Sequence, residues 1–337
     1  AKALTVTASS DDGGELSYQW QKSADNEAFE NIEDADGAAY VPPTDKAGLS
    51  YYRVIVTSVI GKGTASEVSA SATSSAAAVT VKDGAAAQSL ARSAESATPE
   101  GKGTKAEPYR LATADDLMWF AEQVNKTAKK GTSALCAVLT ADIDLTGRDW
   151  TPIGTATNTY SDYIAYGGVF DGNGKTVSGI NINNTDTKKK YHAFIGYAKG
   201  AEVKDLTVTG SIKTSADYAA GIVAYSNPST ITGCTNGVTI EGAKGYVAGI
   251  AASTGTGTVI SECRNTATVL SAYSFAGGIV AIATGKTEIK SCFNSAAVKN
   301  SGTPTSYVSS TGGIAGSASS DSVISMCGNT GEITSTI

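Results

Sequence analysis

Four carboxylates near the middle of the chain, Asp142, Asp144, Asp149 and Asp171, are the residues whose type and spacing come closest to catalysis. Enzymes that cleave polysaccharides use such acids, often with a calcium ion and a basic residue. A plainer reading competes with this. Asp142 and Asp144 flank Ile143 on a strand, and Asp171-Gly172-Asn173-Gly174 has the composition of a tight turn. Paired acids do not recur later in the chain, so no extended acidic groove is implied. The single histidine, His192, leaves little room for Ser-His or Cys-His chemistry or for a multi-histidine metal site. Five cysteines, an odd number with no Cys-x-x-Cys pair, argue against both a zinc centre and a disulfide framework.

Aromatic residues give a second candidate, suited to binding. Tyr191, Tyr218, Tyr246 and Phe275 each stand three residues before a Phe-Ile or Gly-Ile step, at Phe194, Gly221, Gly249 and Gly278, and are expected to stack in one ladder. Such a ladder facing solvent can hold sugar faces, and it is equally able to serve as packing between stacked strands. A third candidate is the set of segments 155–166, 183–191 and 300–310, which break the repeat period. They carry Tyr160, Tyr163, Tyr166, Lys188, Lys189, Lys190 and Tyr307, the mixture of aromatic and basic residues found at recognition surfaces. The Lys188–Lys190 run alone reads as a solvated tip.

These candidates must be positioned by a repetitive β scaffold. Four blocks align, Ile231 to Asn236, Ile260 to Asn265, Ile289 to Asn294 and Ile324 to Asn329, each reading Ile-x-x-Cys-x-Asn. Their cysteines are 29, 29 and 35 residues apart. Each block follows a Gly-Ile step and precedes an apolar residue four beyond the Asn: Ile240, Val269, Val298 and Ile333. Units of this length, built of short β-branched runs and Gly or Asn turns, fit single coils of a parallel solenoid whose rungs stack about 4.8 Å apart. The Ile, Cys and Val positions then form interior columns, with the cysteines as buried small hydrophobes. The Asn forms a column at a bend, in left-handed dihedrals and bonded to its neighbours' backbone. About eight coils are expected, a rod roughly 40 Å long.

Upstream, residues 1–82 alternate over Leu16–Gln21 and Tyr51–Thr57, with Val79-Thr80-Val81 closing a sheet, which reads as a β-sandwich. Residues 83–107 are rich in Ala, Ser, Gly, Lys and Glu and read as a linker. Thr113 and Asp116 have the spacing of a capping box, and Leu117, Phe120, Ala121 and Val124 fall on one face of a helix spanning about 113–127, placed to cover the open first rung. Only 17% of residues are charged, and the net charge is -6, which fits an all-β chain and argues against a nucleic-acid footprint. No apolar run spans a bilayer, and Ala1 to Thr7 lack the pattern of a signal peptide, so the chain reads as an internal fragment.

Two resemblances follow. The first 82 residues resemble the cysteine-free immunoglobulin-like domains of bacterial surface proteins, on Tyr18, Trp20, Tyr52, Val54 and Val56. Residues 108–337 resemble the GLUG-type repeat domains, on Asp142-Ile143-Asp144-Leu145, Trp150-Thr151-Pro152-Ile153-Gly154, Phe170 to Thr176, Phe194-Ile195-Gly196 and the Cys-x-Asn rungs. Such domains occur in large surface proteins of Gram-positive and gut bacteria and beside the catalytic part of some immunoglobulin A proteases. The resemblance implies a right-handed parallel β-helix with attachment or spacer roles and brings no catalytic residues. The Gly-Leu-Phe-Gly step of these repeats reads Ala193-Phe194-Ile195-Gly196 here. The reading is therefore an all-β, non-enzymatic adhesin at an extracellular bacterial surface. It is expected to contact a host glycan, mucin or a host protein such as immunoglobulin, with no cofactor, no metal and no nucleic acid. A polysaccharide-cleaving β-helix enzyme and a passive stalk are the alternatives.

Overall fold

The computed structural model describes residues 3–11, 13–43, 48–81, 98–126, 131–156, 162–186, 190–302 and 309–336. The chain divides into two compact units, Ala1–Ala91 and Arg92–Ile337.

In the first unit the alternating segments form strands Glu15–Ser23 and Gly48–Ile60, which pair antiparallel from Glu15↔Val59 to Ser23↔Tyr51. Glu30–Asn31, Val68–Thr73 and Ala77–Val81 complete a five-stranded sheet, and Leu4–Thr5 pairs with Ala39–Tyr40 in a second, two-stranded one. Trp20 and Val54 are buried between them, with Tyr40 stacked on Trp20 at 5.8 Å. The indole N–H donates to Gly37 O at 2.9 Å, which gives the buried ring a partner for its one polar atom.

The second unit is a parallel β-solenoid. One face is a ladder of eight strands, from Tyr109–Leu111 through Ala137–Leu139 and the starts of Val169–Asn184 and Glu202–Thr214 to Thr230–Thr232, Val259–Ser261, Glu288–Lys290 and Val323–Ser325. Among the described residues the ladder that begins at Tyr191–His192 holds five strands. Turns therefore number about six rather than eight, since among the described residues the first coils carry no strand on that face.

The repeat occupies its expected columns, with one change. Ile231, Ile260 and Ile289, and Cys234, Cys263 and Cys292, are buried in register, and all five cysteines are free thiols. The asparagines do not take the left-handed conformation. That backbone falls on the residue before each Cys: Gly233 (φ 64), Glu262 (φ 56), Ser291 (φ 52) and Met326 (φ 53). The Asn side chains point inward, bond nearby backbone as expected, with Val238 N–H donating to Asn236 Oδ1 at 2.9 Å, and also bond one another. Asn236 Nδ2 donates to Asn265 Oδ1 at 2.7 Å, Asn265 Nδ2 to Asn294 Oδ1 at 2.7 Å, and Asn294 Nδ2 to Asn329 Oδ1 at 2.6 Å. A primary amide has donors and acceptors enough to continue such a chain indefinitely, so the polar column needs no water. Its neighbours across the coil are Gly221, Gly249, Gly278 and Gly313, where any Cβ would overlap the Asn side chains.

The helix α1, Ala114–Asn125, starts at N-cap Thr113 with the expected capping box, and Leu117, Phe120, Ala121 and Val124 are buried. Phe120 meets Tyr166 at 6.1 Å and Phe170 at 6.0 Å, so the helix closes the apolar end of the first coil. Residues 83–97 lie outside the described residues. For Thr98–Glu107 the linker expectation gives way, since Arg110 N–H donates to Glu100 O at 2.7 Å and Cys136 N–H to Gly103 O at 2.8 Å, binding the stretch to the first coil. No helix among the described residues is long and apolar enough to cross a membrane.

Candidate functional site

Where the ladder through Tyr218–Ala220 turns into the ladder through Val223–Ser226, the chain carries small residues on its outer side. Val223 and Ala219 belong to the main core, whereas Ala220 and Ala224, with Ala193 and Ala252, form a second buried cluster outside it. Tyrosine rings cover this alanine floor. Small side chains below allow the rings to lie against the backbone and against each other.

Two columns of rings result. The first follows the strand register, Tyr191↔Tyr218↔Tyr246. Ring centroids are 5.0 Å apart for Tyr191–Tyr218, 5.3 Å for Tyr218–Tyr246 and 5.5 Å for Tyr246–Phe275, all tilted. The second column is Tyr163, Tyr197 and Tyr225, in edge contacts of 5.1 and 5.2 Å. Tyr191 touches Tyr197 and Tyr225 at 5.7 Å each, and Tyr218 touches Tyr225 at 5.6 Å, so the columns form one platform of seven rings. Tyr191 is 8% exposed, and the other rings are partly exposed. The platform stops on later coils, where the second column continues as Ser253, Ile282 and Ser317 and the first as Ser310.

Charge gathers at the platform's margins. Asp217, next to Tyr218, accepts Lys190 at 3.4 Å and Lys244 at 3.1 Å. Lys199 lies over Tyr163, with Nζ 3.4 Å from the hydroxyl and 5.6 Å from the ring centroid. Burial, together with the neighbouring Tyr225 and Tyr163, pushes the Tyr197 hydroxyl up to about 12.

Of the residues singled out from sequence, Tyr163, Lys190, Tyr191, Tyr218, Tyr246 and Phe275 meet at this elbow. Tyr166 does not. It is fully buried against Phe120, because 163–166 is a strand of the solenoid wall and not a loop, and its burial holds the hydroxyl well above the ordinary tyrosine range. Tyr160, Lys188, Lys189 and Tyr307 lie outside the described residues. Tyr197, Tyr225 and Lys199 were not singled out. Their signal was a second tyrosine six residues after Tyr191 and seven after Tyr218, facing the same elbow from the next strand.

The four acids have structural partners. Asp142 accepts Thr176 N–H at 2.8 Å, Asp144 accepts Thr146 N–H at 2.9 Å, Asp149 accepts Asn181 Nδ2 at 2.8 Å, and Asp171 pairs with Lys204 at 3.1 Å. Among the described residues no group of three or more His, Cys, Asp or Glu side chains is placed to hold a metal ion.

Comparison with known proteins gives two findings. Residues 1–83 match the model of a domain of unknown function, DUF8696. The fold is similar to the crystal structure of a Bacteroides ovatus protein named provisionally as an immunoglobulin A1 protease, at a TM-score of 0.51 and 18% identity over 71% of each chain. No curated protein matches the chain.

Proposed function

We propose that this chain is a non-enzymatic, extracellular binding segment of a bacterial surface protein, and that the tyrosine platform is its contact face for a host glycan or host protein, mucin and immunoglobulin among them. The single observation that carries the reading is the platform's position. The main core is already filled by its own aliphatic, Cys and aromatic side chains, Phe170 and Phe194 among them, so the rings outside it are not needed to close the coil. Tyrosine combines a large apolar face with a polar tip and little rotamer entropy to lose, which suits it to recognition surfaces. A continuous patch of partly exposed rings on an otherwise Ser- and Thr-rich wall has the character of an interaction site. The likeness to the Bacteroides protein supports a role for this architecture in proteins that meet host molecules. The first unit, taken as an immunoglobulin-like sandwich, would serve as a spacer or second binding module.

The test is an array of host glycans, mucins and serum and secretory proteins probed with the full chain, with product release assayed on every hit. Saturable binding without turnover, lost in a Tyr218→Ala/Tyr225→Ala variant that keeps the wild-type circular dichroism, is the expected result. Released sugar or cleaved protein would overturn the non-enzymatic reading, and binding indifferent to the two tyrosines would remove the platform from it.

A further inference from the structure

The five-stranded sheet of the first unit ends on a bare edge. Val68–Thr73 is exposed at every residue and is paired only with Gly48–Ile60, from Ile55↔Thr73 to Ile60↔Val68. Because Glu15–Ser23 occupies the other side of Gly48–Ile60, Ala77–Val81 runs along the same edge as Val68–Thr73 and in the same direction. Ser74 N–H donates to Val54 O at 2.9 Å, which fixes the phase of the ladder. Counting back along the antiparallel pair, Val68, Ala70 and Ala72 turn their backbone groups toward Gly48–Ile60. Ser69, Ser71 and Thr73 turn theirs outward, where no strand among the described residues meets them. From Val68 to Val81 the sequence holds no charged residue, proline or glycine. Folded proteins guard an open edge with Lys, Pro or a covering element, because its free backbone groups template a further strand. Here Glu67 and Lys82 stand only at the two ends of the stretch.

We infer that this edge pairs with the same edge of a second copy of the chain, the two Val68–Thr73 strands lying antiparallel about a two-fold axis at Ala70. An isologous contact must be complementary to itself, and this register meets the requirement in both backbone and side chains. Ser69 faces the partner's Ser71, and Ser71 the partner's Ser69, each with its outward N–H and C=O, so the two pairs supply four backbone hydrogen bonds. Val68 lies opposite the partner's Ala72, and Ala70 opposite the partner's Ala70. Apolar residues therefore meet on one face of the joined sheet and hydroxyls on the other. The chain's net charge of -6 opposes close approach of two copies, and this stretch carries none of it. One short edge against another buries less than a standard interface, so the dimer is weak, with a Kd on the order of 0.1 mM. The contact consumes the edge on both copies, and assembly closes at two.

The experiment is sedimentation equilibrium of the full chain at concentrations up to about 0.5 mM, where a monomer–dimer equilibrium is expected. Ser71→Pro removes an outward N–H and spares the bonds to Gly48–Ile60, the setting in which a strand accepts proline. It is expected to weaken dimerisation on the order of tenfold with the circular dichroism unchanged. Ala70→Lys and Ala70→Glu each set like charges opposite one another across the axis and are expected to be monomeric, whereas an equimolar mixture of the two is expected to dimerise. That rescue separates pairing at Ala70 from a loss of fold. A wild-type chain that stays monomeric throughout, a dimer indifferent to Ser71→Pro, or a charge-matched mixture that fails to associate would each overturn the inference. Growth beyond the dimer would overturn it as well, since a two-fold contact leaves no free edge to extend.

Discussion

Substituting Asn265 by Ala tests whether the interior amide column holds the coils in register. Asn265 is fully buried, accepts Asn236 Nδ2 at 2.7 Å and donates to Asn294 Oδ1 at 2.7 Å. The substitution deletes both bonds and leaves a donor on one coil and an acceptor on the next facing an apolar gap. Asn236 Nδ2 retains only its contact to Val238 O at 3.2 Å. Each buried group stranded in this way costs about 1–3 kcal/mol, so the total for the two is roughly 2–6 kcal/mol. Asn329 supplies the contrast. It is exposed and accepts a single ladder bond from Asn294, so water can replace the lost partner and Asn329→Ala is expected to cost about 1 kcal/mol or less. Hydrogen exchange followed by mass spectrometry reads the opening free energy of Thr230–Thr232, Val259–Ser261 and Glu288–Lys290 in both variants. Losses of similar size for Asn265→Ala and Asn329→Ala would refute the reasoning, because burial would then not set the cost.

Other expectations follow from the same geometry. Gly249→Ala forces a Cβ into Gly278 O and the Asn265 side chain, and is expected to destabilise the solenoid by at least about 1–3 kcal/mol, read as a lower urea midpoint. Cys234, Cys263 and Cys292 are buried, and the thiol of Cys263 is held well above its ordinary pKa by its Cys234 neighbour and by burial. Thiol labelling of the native chain should therefore reach Cys327 first, with these three and the likewise buried Cys136 reacting only after unfolding. The raised Tyr197 hydroxyl makes an alkaline prediction. A phenol whose folded pKa lies above its unfolded value near 10 contributes full stability below pH 10, and that contribution is lost as pH rises toward about 12. Ultraviolet titration should show Tyr197 ionising about two units late, and Tyr225→Ala, which removes a neighbour and opens the site to water, should bring it down.

The solenoid was legible because stacking forces equivalent residues into columns, so Ile, Cys, Gly and the apolar residue after Asn had to recur with the coil. The same logic exposed the Tyr191, Tyr218, Tyr246 and Phe275 ladder and the capped helix over Leu117 and Phe120. What the sequence hid depended on which way one residue turns. Residues 163–166 read as loop because the segment around them breaks the period, yet strand pairing with Gly131–Ser133 buries Tyr166. Tyr225 faces outward because Val223 and Ser226, three residues apart, are both turned inward, which breaks simple alternation. The Asn column was placed at the bend, but the left-handed backbone fell to the residue before Cys, where Glu262 and Met326 give no compositional hint of it.

The most direct test of the account is a hydroxyl-radical footprint of the full chain with and without a saturating ligand from the array. The account predicts protection of Tyr197, Tyr218, Tyr225 and Tyr246, with Tyr51 and Tyr109 unchanged. Protection confined to the first unit, or to solenoid faces away from these four rings, would contradict it.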